Sequence, residues 1–263
     1  MKRLKLLLLQ IAVGIGFLLL WHVLTTYPIL APVRQTQFFF SNPIDVIARV
    51  WKEFASGEIW RHLWITLVET ILAFLFGAGG GILFGFLFAR RELLAAVFDP
   101  YIKAANALPR VVLAPIFALW FGLGIWSKVA LGFTLVFFIV FFNVYQGVRE
   151  VSPVVLANAR MLGMNERQLL RHVYWPAALT WMFSSLHTSV GFALVGAVVG
   201  EYLGSSAGLG YKIHEAESVF DVTGVFAGMV ILSIFVILID AVVTAIENRL
   251  LVWRPAPSTT GQV

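Results

Sequence analysis

Six long apolar stretches constrain what this 263-residue chain can fold into more than any other feature of its sequence. Each reaches the roughly 18 to 20 residues that an α-helix needs to cross about 30 Å of hydrocarbon. Only Glu69 and Arg110 bring a charge into them. The stretches are residues 6–33, 62–89, 104–127, 129–148, 173–200 and 222–239. We therefore predict an all-α, polytopic membrane protein with about six transmembrane helices.

Composition supports this class. The chain is 60% hydrophobic and 13% charged, which is too apolar for a soluble domain. We expect a single transmembrane domain over residues 1–263, with no disulfide or thiolate chemistry because cysteine is absent from the sequence. The first apolar stretch follows basic residues, as in a signal peptide. It is too long and lacks a small-residue cleavage site, so we predict a retained first span.

Basic residues are distributed unequally between the two faces that alternating spans define. Twelve fall on the face that carries both termini and six on the other. Because basic residues concentrate in cytoplasmic segments, both termini are predicted to be cytoplasmic. The larger group is Lys2, Arg3, Lys5, Arg90, Arg91, Lys103, Arg149, Arg160, Arg167, Arg171, Arg249 and Arg254, and the smaller is Arg34, Arg49, Lys52, Arg61, Lys128 and Lys212.

One long polar segment, residues 149–176, interrupts the apolar second half of the chain, and the charge bias places it in the cytoplasm. Gly163, followed by Asn165 and Glu166, supplies a helix stop, a turn and an N-cap. The pattern predicts two short helices, at residues 157–161 and 166–174. Together they would form a compact unit that meets a soluble partner.

The residue order of this polar segment resembles the cytoplasmic loop of permease subunits of binding-protein-dependent ABC importers. In that family the loop reads Glu-Ala-Ala, three residues, Gly, nine residues, Ile, one residue, Leu-Pro. This chain keeps the spacing, with Ala157, Asn158 and Val173 at the Glu, first Ala and Ile positions and Trp175 before Pro176. With these departures, the loop resembles that of the sulfonate, nitrate and taurine branch of the family more than that of its sugar branch. The similarity extends to residues 108–109, 120–124, 208–211 and 247–253.

The resemblance implies a non-catalytic permease that moves a small anionic organic or inorganic solute across the bacterial inner membrane into the cytoplasm. Its implied partners are a second copy of the chain, two ATP-binding cassette subunits, an extracytoplasmic solute-binding protein and the lipid bilayer, without nucleic acid. ATP and magnesium would be bound by the ATPase subunits, and no cofactor or metal is expected here, where no Gly-rich phosphate loop occurs in the sequence. The residues implied to dock the ATPase are Ala157, Ala159, Arg160, Gly163, Glu166, Arg167 and Pro176.

Breaks and polar groups inside the spans indicate a route for the solute. Pro109 and Pro115 remove backbone hydrogen bonds from the third span, which predicts a kinked helix of the kind that lines cavities. Charges at membrane depth should face protein, water or one another, although Arg110 could instead extend to the interface. The candidates for the path or gate are Arg110, Pro115, His187, Ser189 and Glu201. The resemblance implies an external gate beside the outer end of the fifth span. Glu201 lies at that end and is therefore the expected gate residue. His187 and its hydroxyl-bearing neighbours could equally bond helices together.

Several sequence features allow more than one interpretation. Gly77, Gly81 and Gly85 predict close helix packing, with a dynamic role as the competing reading, and Gly196, Gly200 and Gly204 repeat the spacing in the fifth span. Ser41-Asn42-Pro43 predicts the start of a short helix over residues 44–54, whose apolar residues recur at helical spacing. It lies either on the outer membrane face or in a plain connection. A secondary transporter that uses Glu69, Arg110, Glu201 or Asp240 as ion relays competes with the importer, as does a membrane scaffold. The polar segment favours the importer.

Overall fold

The computed structural model describes residues 2–29 and 31–250, so Arg254 and residues 251–253 lie outside the described part of the chain. The described residues are helical, with short turns between helices. The helices are α1 (Lys2–Thr26), α2 (Val33–Phe40), α3 (Pro43–Ser56), α4 (Ile59–Arg90), α5 (Glu92–Ala107), α6 (Leu113–Phe121), α7 (Ile125–Arg149), α8 (Pro153–Met161), α9 (Glu166–Leu169), α10 (Trp175–Gly204), α11 (Leu209–Ser218) and α12 (Val222–Leu250).

Five helical stretches of residues 2–29 and 31–250, carried by α1, α4, α7, α10 and α12, are long and apolar enough to cross a membrane. The bent pair of α5 and α6, counted as one span, raises the number to six. The predicted all-α polytopic fold is confirmed. The first span ends at Thr26 rather than at residue 33, because Pro28 and Pro32 follow and a residue before proline avoids the helical conformation.

The third span differs from the single kinked helix predicted over residues 104–127. The pair α5 and α6 bends by 80°, and a 3₁₀ turn at Arg110–Val112 follows the break at Pro109. Pro115 lies in the first turn of α6, where a missing N–H leaves no helical hydrogen bond unmade, so it adds no kink. Gly122, at φ +76°, ends α6. Residues 125–127 therefore open α7.

The centre of the bundle is the contact between α4 and α7, where glycines of α4 lie against valines of α7. A β-carbon added at Gly77 or Gly81 would come within 2.6 or 2.8 Å of the Cβ of Val136 or Val140. Both valines are fully buried. Side-chain-free positions thus let the two helix backbones approach, as the glycine spacing predicted.

The contact between α7 and α10 also depends on glycines that let the helices approach closely. A β-carbon at Gly196 would lie 2.4 Å from the Cα of Gly132, and one at Gly200 would lie 3.0 Å from Cγ of Lys128. Lys128 is fully buried in the first turn of α7. Its side chain is therefore buried between helices rather than exposed on a connection.

The two ends of the bundle carry different short helices. Segment 149–176 with α8 and α9 lies at one, which we call the loop end, and α3 and α11 lie at the other, the far end. The predicted start of α3 is confirmed, since the Asn42 side chain accepts the N–H of Ile44 at 2.9 Å. Val46 of α3 is buried, whereas Ile47 and Trp51 are exposed apolar residues. The amphipathic character predicted for residues 44–54 is present in α3.

Candidate functional site

The turn between α8 and α9 depends on Gly163, which has φ of +81°. The N–H of Gly163 donates to the Arg160 carbonyl at 3.0 Å, and the N–H of Met164 donates to the Ala159 carbonyl at 3.1 Å. These bonds satisfy carbonyls that the end of α8 would otherwise leave unpaired. The left-handed glycine predicted as the helix stop is confirmed.

The start of α9 is closed by a reciprocal pair of hydrogen bonds. The N–H of Gln168 donates to the Asn165 side chain at 2.9 Å, and the N–H of Asn165 donates to the Gln168 side chain at 2.8 Å. This arrangement is a capping box, and it confirms Asn165 as the predicted N-cap. Hydrogen bonds between neighbouring residues therefore define the turn.

The second short helix, predicted over residues 166–174, is not a separate helix with an end at residue 174. From α9 the chain continues through a π-helical stretch, Leu170–Tyr174, directly into α10. Proline removes one backbone hydrogen bond, and a π-helical turn re-spaces the bonds just before it. No loop therefore separates α9 from the fifth span.

The residues of segment 149–176 that are expected to dock a partner differ in their exposure to solvent. Ala159 is buried against the bundle, so it is a packing residue at this surface. At the tip, Val154, Met161 and Leu162 are 66%, 78% and 81% exposed. Ala157, Arg160, Gly163, Glu166, Arg167 and Pro176 are exposed. The segment therefore presents apolar side chains beside basic ones.

A contact set at the loop end joins α4 to this segment, and sequence reasoning missed it. The Arg90 guanidinium donates to the Glu166 carboxylate at 2.6 Å and lies 5.8 Å from the centre of the Tyr174 ring. The rings of Phe86 and Trp175 stack at 5.3 Å between centroids. Arg90 ends a predicted span and carried no sequence signal for a partner 76 residues away.

At the far end, the first turn of α11 is held by polar side chains from other helices. The N–H of Gly210 donates to Oε2 of Glu201 at 2.7 Å, and the N–H of Leu209 donates to the Thr66 hydroxyl at 3.0 Å. Thr66 in turn donates to Oε1 of Glu201 at 2.6 Å. A helix N-terminus has unpaired N–H groups, and here α4 and α10 supply their acceptors.

The turn that leads into α11 continues the same network. The N–H of Gly208 donates to Nδ1 of His62 at 3.0 Å, and the rings of His62 and Tyr211 are parallel with centroids 6.1 Å apart. Gly208 has φ of +115°, and a β-carbon there would overlap the Glu201 carboxyl group at 2.1 Å. Glycine is thus required for the turn to close over Glu201.

Beneath this network lies a charged cluster that the sequence did not predict. Glu69, Lys128 and Glu201 are 1%, 0% and 0% exposed. The carboxyl groups of Glu69 and Glu201 lie close enough to interact with one another, and both attract the Lys128 ammonium electrostatically. Lys128 itself donates to the carbonyls of Leu123 and Gly124 at 2.6 and 3.1 Å. The predicted gate residue is therefore one member of a buried set.

Arg110 lies at the break between α5 and α6. Its guanidinium donates to the Asn106 side chain at 2.5 Å and lies 5.3 Å from the centre of the Phe138 ring. Its Nε is buried without a hydrogen-bond partner. Non-helical backbone and a cation therefore coincide at one point of the third span, whereas Pro115 lies beyond the break, inside α6.

The two α10 candidates for the path are in different environments. Ser189 is fully buried, and its hydroxyl donates to the Ser185 carbonyl of its own helix at 2.7 Å. The side chains of His187 and Asp240 are 39% and 62% exposed, and Nε2 of His187 lies 3.2 Å from Oδ1 of Asp240. His187 is about 18 Å along α10 from Trp175. This ionisable pair is thus partly exposed on the single chain at membrane depth.

Comparisons with known proteins identify relatives of this chain. The putative aliphatic sulfonates transport permease protein SsuC of Bacillus subtilis is 34% identical over 81% of this chain and 77% of its own length. The formylaminopyrimidine transport permease protein ThiX of Halalkalibacterium halodurans is also 34% identical, over 82% of this chain and 86% of its own. The taurine transport system permease protein TauC of Escherichia coli is 25% identical over 93% and 90%.

A solved structure shares the fold. The MetNI methionine ABC transporter in an inward-facing conformation aligns with a TM-score of 0.62 and 19% identity, covering 73% of this chain and 97% of the matched chain. The profile of the binding-protein-dependent transport system inner membrane component family matches residues 81–252. The chain belongs to this family of ABC importer permeases, which are non-catalytic membrane subunits that act with a separate ATPase.

Proposed function

We propose that two copies of this chain form the membrane channel of an ATP-driven importer, with one ATPase subunit under each polar segment. The observation that carries the proposal is the tip of segment 149–176. Its exposed Met161 and Leu162 lie beside a turn that Gly163 and the capping box define, and Arg160 and Arg167 flank them. Exposed apolar groups with a polar rim are typical of a docking surface.

The orientation follows from the distribution of charge. The proposal places both termini and segment 149–176 in the cytoplasm of a bacterium, where ATP is available. Twelve basic residues on the face of the termini against six on the other support this orientation. The far end, with α3 and α11, would then meet an extracytoplasmic solute-binding protein.

The open pair of His187 and Asp240 supports assembly with a second copy. Ionisable side chains at membrane depth cost about 2.5 to 3.5 kcal/mol when they face lipid, so they are normally covered by protein or water. Each side chain is more than one third exposed in the single chain. A dimer interface or an aqueous path along α10 would cover them.

For the solute we propose a small organic anion of the sulfonate class. The names of two relatives, one for aliphatic sulfonates and one for taurine, support this class. The guanidinium of Arg110, placed at the break of the third span, gives an anion a partner at membrane depth. Relatives named for formylaminopyrimidine and riboflavin are the competing classes.

Uptake by reconstituted vesicles tests the proposal. We expect ATP-dependent uptake that requires the ATPase and the binding protein, because no phosphate-binding loop occurs in this sequence. Collapse of the proton gradient should leave the rate unchanged. Uptake by this chain alone under a pH gradient would instead establish a secondary transporter that uses its intramembrane carboxyl groups. Competition by an aliphatic sulfonate, but not by formylaminopyrimidine or riboflavin, would fix the solute class.

A further inference from the structure

Glu69 and Glu201 place two buried carboxyl groups close together, beside the positive charge of Lys128. An ionised carboxylate only accepts hydrogen bonds, whereas a protonated carboxylic acid also donates one. A hydrogen bond between two carboxyl groups therefore has an acid on one side. Both residues are buried, so water does not separate or solvate them as it would at a surface.

The surroundings of the two carboxyl groups indicate which one holds the proton. Both oxygens of Glu201 accept a hydrogen bond, Oε1 from Thr66 and Oε2 from Gly210. Oε2 of Glu69 is buried and has no hydrogen-bond partner. Hydrogen bonds stabilise the charged form of a carboxyl group, and they are concentrated on Glu201. The proton is accordingly assigned to Glu69 and the negative charge to Glu201.

This assignment also balances the charges of the cluster. Lys128 supplies one positive charge, so an acid at Glu69 and a carboxylate at Glu201 leave a neutral set. Two ionised carboxylates beside one lysine would leave an uncompensated buried charge. In the adjoining network, Nδ1 of His62 accepts the Gly208 N–H, so that nitrogen carries no proton.

We propose that Glu69 carries a proton that it donates to Glu201, and that this neutral acid positions Glu201 to hold α11 across the far end. Glu69 is thus a positioning residue. It acts from α4, and Lys128 links the same cluster to the carbonyls at the turn between α6 and α7. Its transport consequence rests on the proposed importer function, whereas the location of the proton does not.

Infrared spectroscopy of the purified chain in detergent or lipid tests where the proton lies. We expect the carbonyl stretching band of a buried carboxylic acid at neutral pH in the wild-type chain. Glu69→Gln should remove it, and Glu92→Gln, which changes an exposed carboxylate of α5, should leave it unchanged. A band that persists in Glu69→Gln overturns the assignment whatever the protein transports.

A pair of substitutions at Glu69 tests the positioning role in the complex with the ATPase. Glutamine is neutral and donates a hydrogen bond in the same place, so Glu69→Gln should keep the basal ATPase rate within twofold of wild type. Glu69→Ala removes the donor and should raise the basal rate about tenfold, as expected for a lost hydrogen bond to a buried charge. A Glu69→Gln chain that matches Glu69→Ala, or fails to fold, overturns the proposal, because a neutral donor would then not replace the acid.

Discussion

Arg90 and Glu166 form an ion pair of 2.6 Å between the last residue of α4 and the first residue of α9. The same helix α4 carries Thr66 and Glu69 at the far end of the bundle. One 32-residue helix therefore touches the proposed docking segment at one end and the buried carboxyl cluster at the other. A rigid helix with a partner at each end can transmit a displacement between them.

The Arg90–Glu166 pair should contribute to coupling rather than to folding. Its side chains are 33% and 64% exposed, and exposed pairs contribute about 0.2 to 1 kcal/mol. We expect Arg90→Glu or Glu166→Arg alone to lower ATP-driven uptake by about twofold to fivefold, and the double exchange to restore it. Thermal unfolding of the purified chain should be nearly unchanged in all three variants.

The neighbouring arginine provides the control for that exchange. Arg91 lies at the same end of α4, is exposed, and takes part in no ion pair among the described residues. Arg91→Glu should therefore leave uptake closer to wild type than Arg90→Glu does. If Arg91→Glu lowers uptake as much as Arg90→Glu does, and the Arg90–Glu166 double exchange does not restore it, a specific role for the pair is excluded.

Replacement of Gly163 should distinguish backbone conformation from packing. No atom lies within 4 Å of a β-carbon built at Gly163, so only its φ of +81° restricts the residue. A β-branched side chain in this region costs about 1 to 2 kcal/mol, whereas asparagine adopts it more readily. Gly163→Val should reduce co-purification of the ATPase and uptake together, and Gly163→Asn should reduce both less. A fully active Gly163→Val variant would remove the turn from the docking role.

Local chemistry explains what could be predicted from the sequence. Three predicted features depend on residues only three or four positions apart, so the amino-acid sequence is enough to predict them. They are the stop at Gly163, the cap at Asn165 and the start of α3 at Asn42. The break at Pro109 is local in the same sense. The continuous junction between α9 and the fifth span was not predicted, because it is made by a π-helical stretch, and such turns have no clear sequence signal.

Contacts between helices explain what could not be predicted. Lys128 stands between two apolar stretches and resembles a residue of an exposed connection, yet the register of α7 against α10 places it beside Glu201. Glu69 could be placed in a span, but not next to a second carboxyl group 132 residues away. Arg90 and Glu166 likewise meet only through the tertiary fold. Periodicity in a single sequence does not determine such registers.

Two glycines of α4 should respond oppositely to alanine. A β-carbon at Gly81 would lie 2.8 Å from Cβ of Val140 and 2.9 Å from the Phe137 carbonyl oxygen, whereas one at Gly79 would contact no atom within 4 Å. Gly81→Ala should destabilise the chain by about 1 to 3 kcal/mol through overpacking. Gly79→Ala should be neutral or stabilising by up to about 1 kcal/mol. Thermal unfolding in one detergent measures both, and equal melting temperatures would contradict the close contact of α4 with α7.

Removal of the Glu201 carboxyl group should open the far end. Glu201 accepts hydrogen bonds from Thr66 and Gly210, and the loss of a hydrogen bond to a buried charge costs about 1.5 to 3 kcal/mol. If α11 holds the far end closed, Glu201→Ala should raise ATP hydrolysis without binding protein by about tenfold or more and lower the uptake obtained per ATP. Glu201→Gln keeps one acceptor oxygen and should have a smaller effect in the same direction.

A substitution on the exposed side of α11 separates this gate role from a general loss of stability. Glu215 is bound by Lys212 at 3.0 Å and lies at the surface, away from the buried cluster. Glu215→Ala should leave basal hydrolysis near wild type, since α11 would keep its contacts with Glu201 and Thr66. The measurement is the basal and the binding-protein-stimulated ATPase rate in reconstituted membranes, with uptake followed in parallel. Unchanged coupling in both Glu201 variants would exclude the gate assignment and leave the family membership intact, because that depends on the match over residues 81–252.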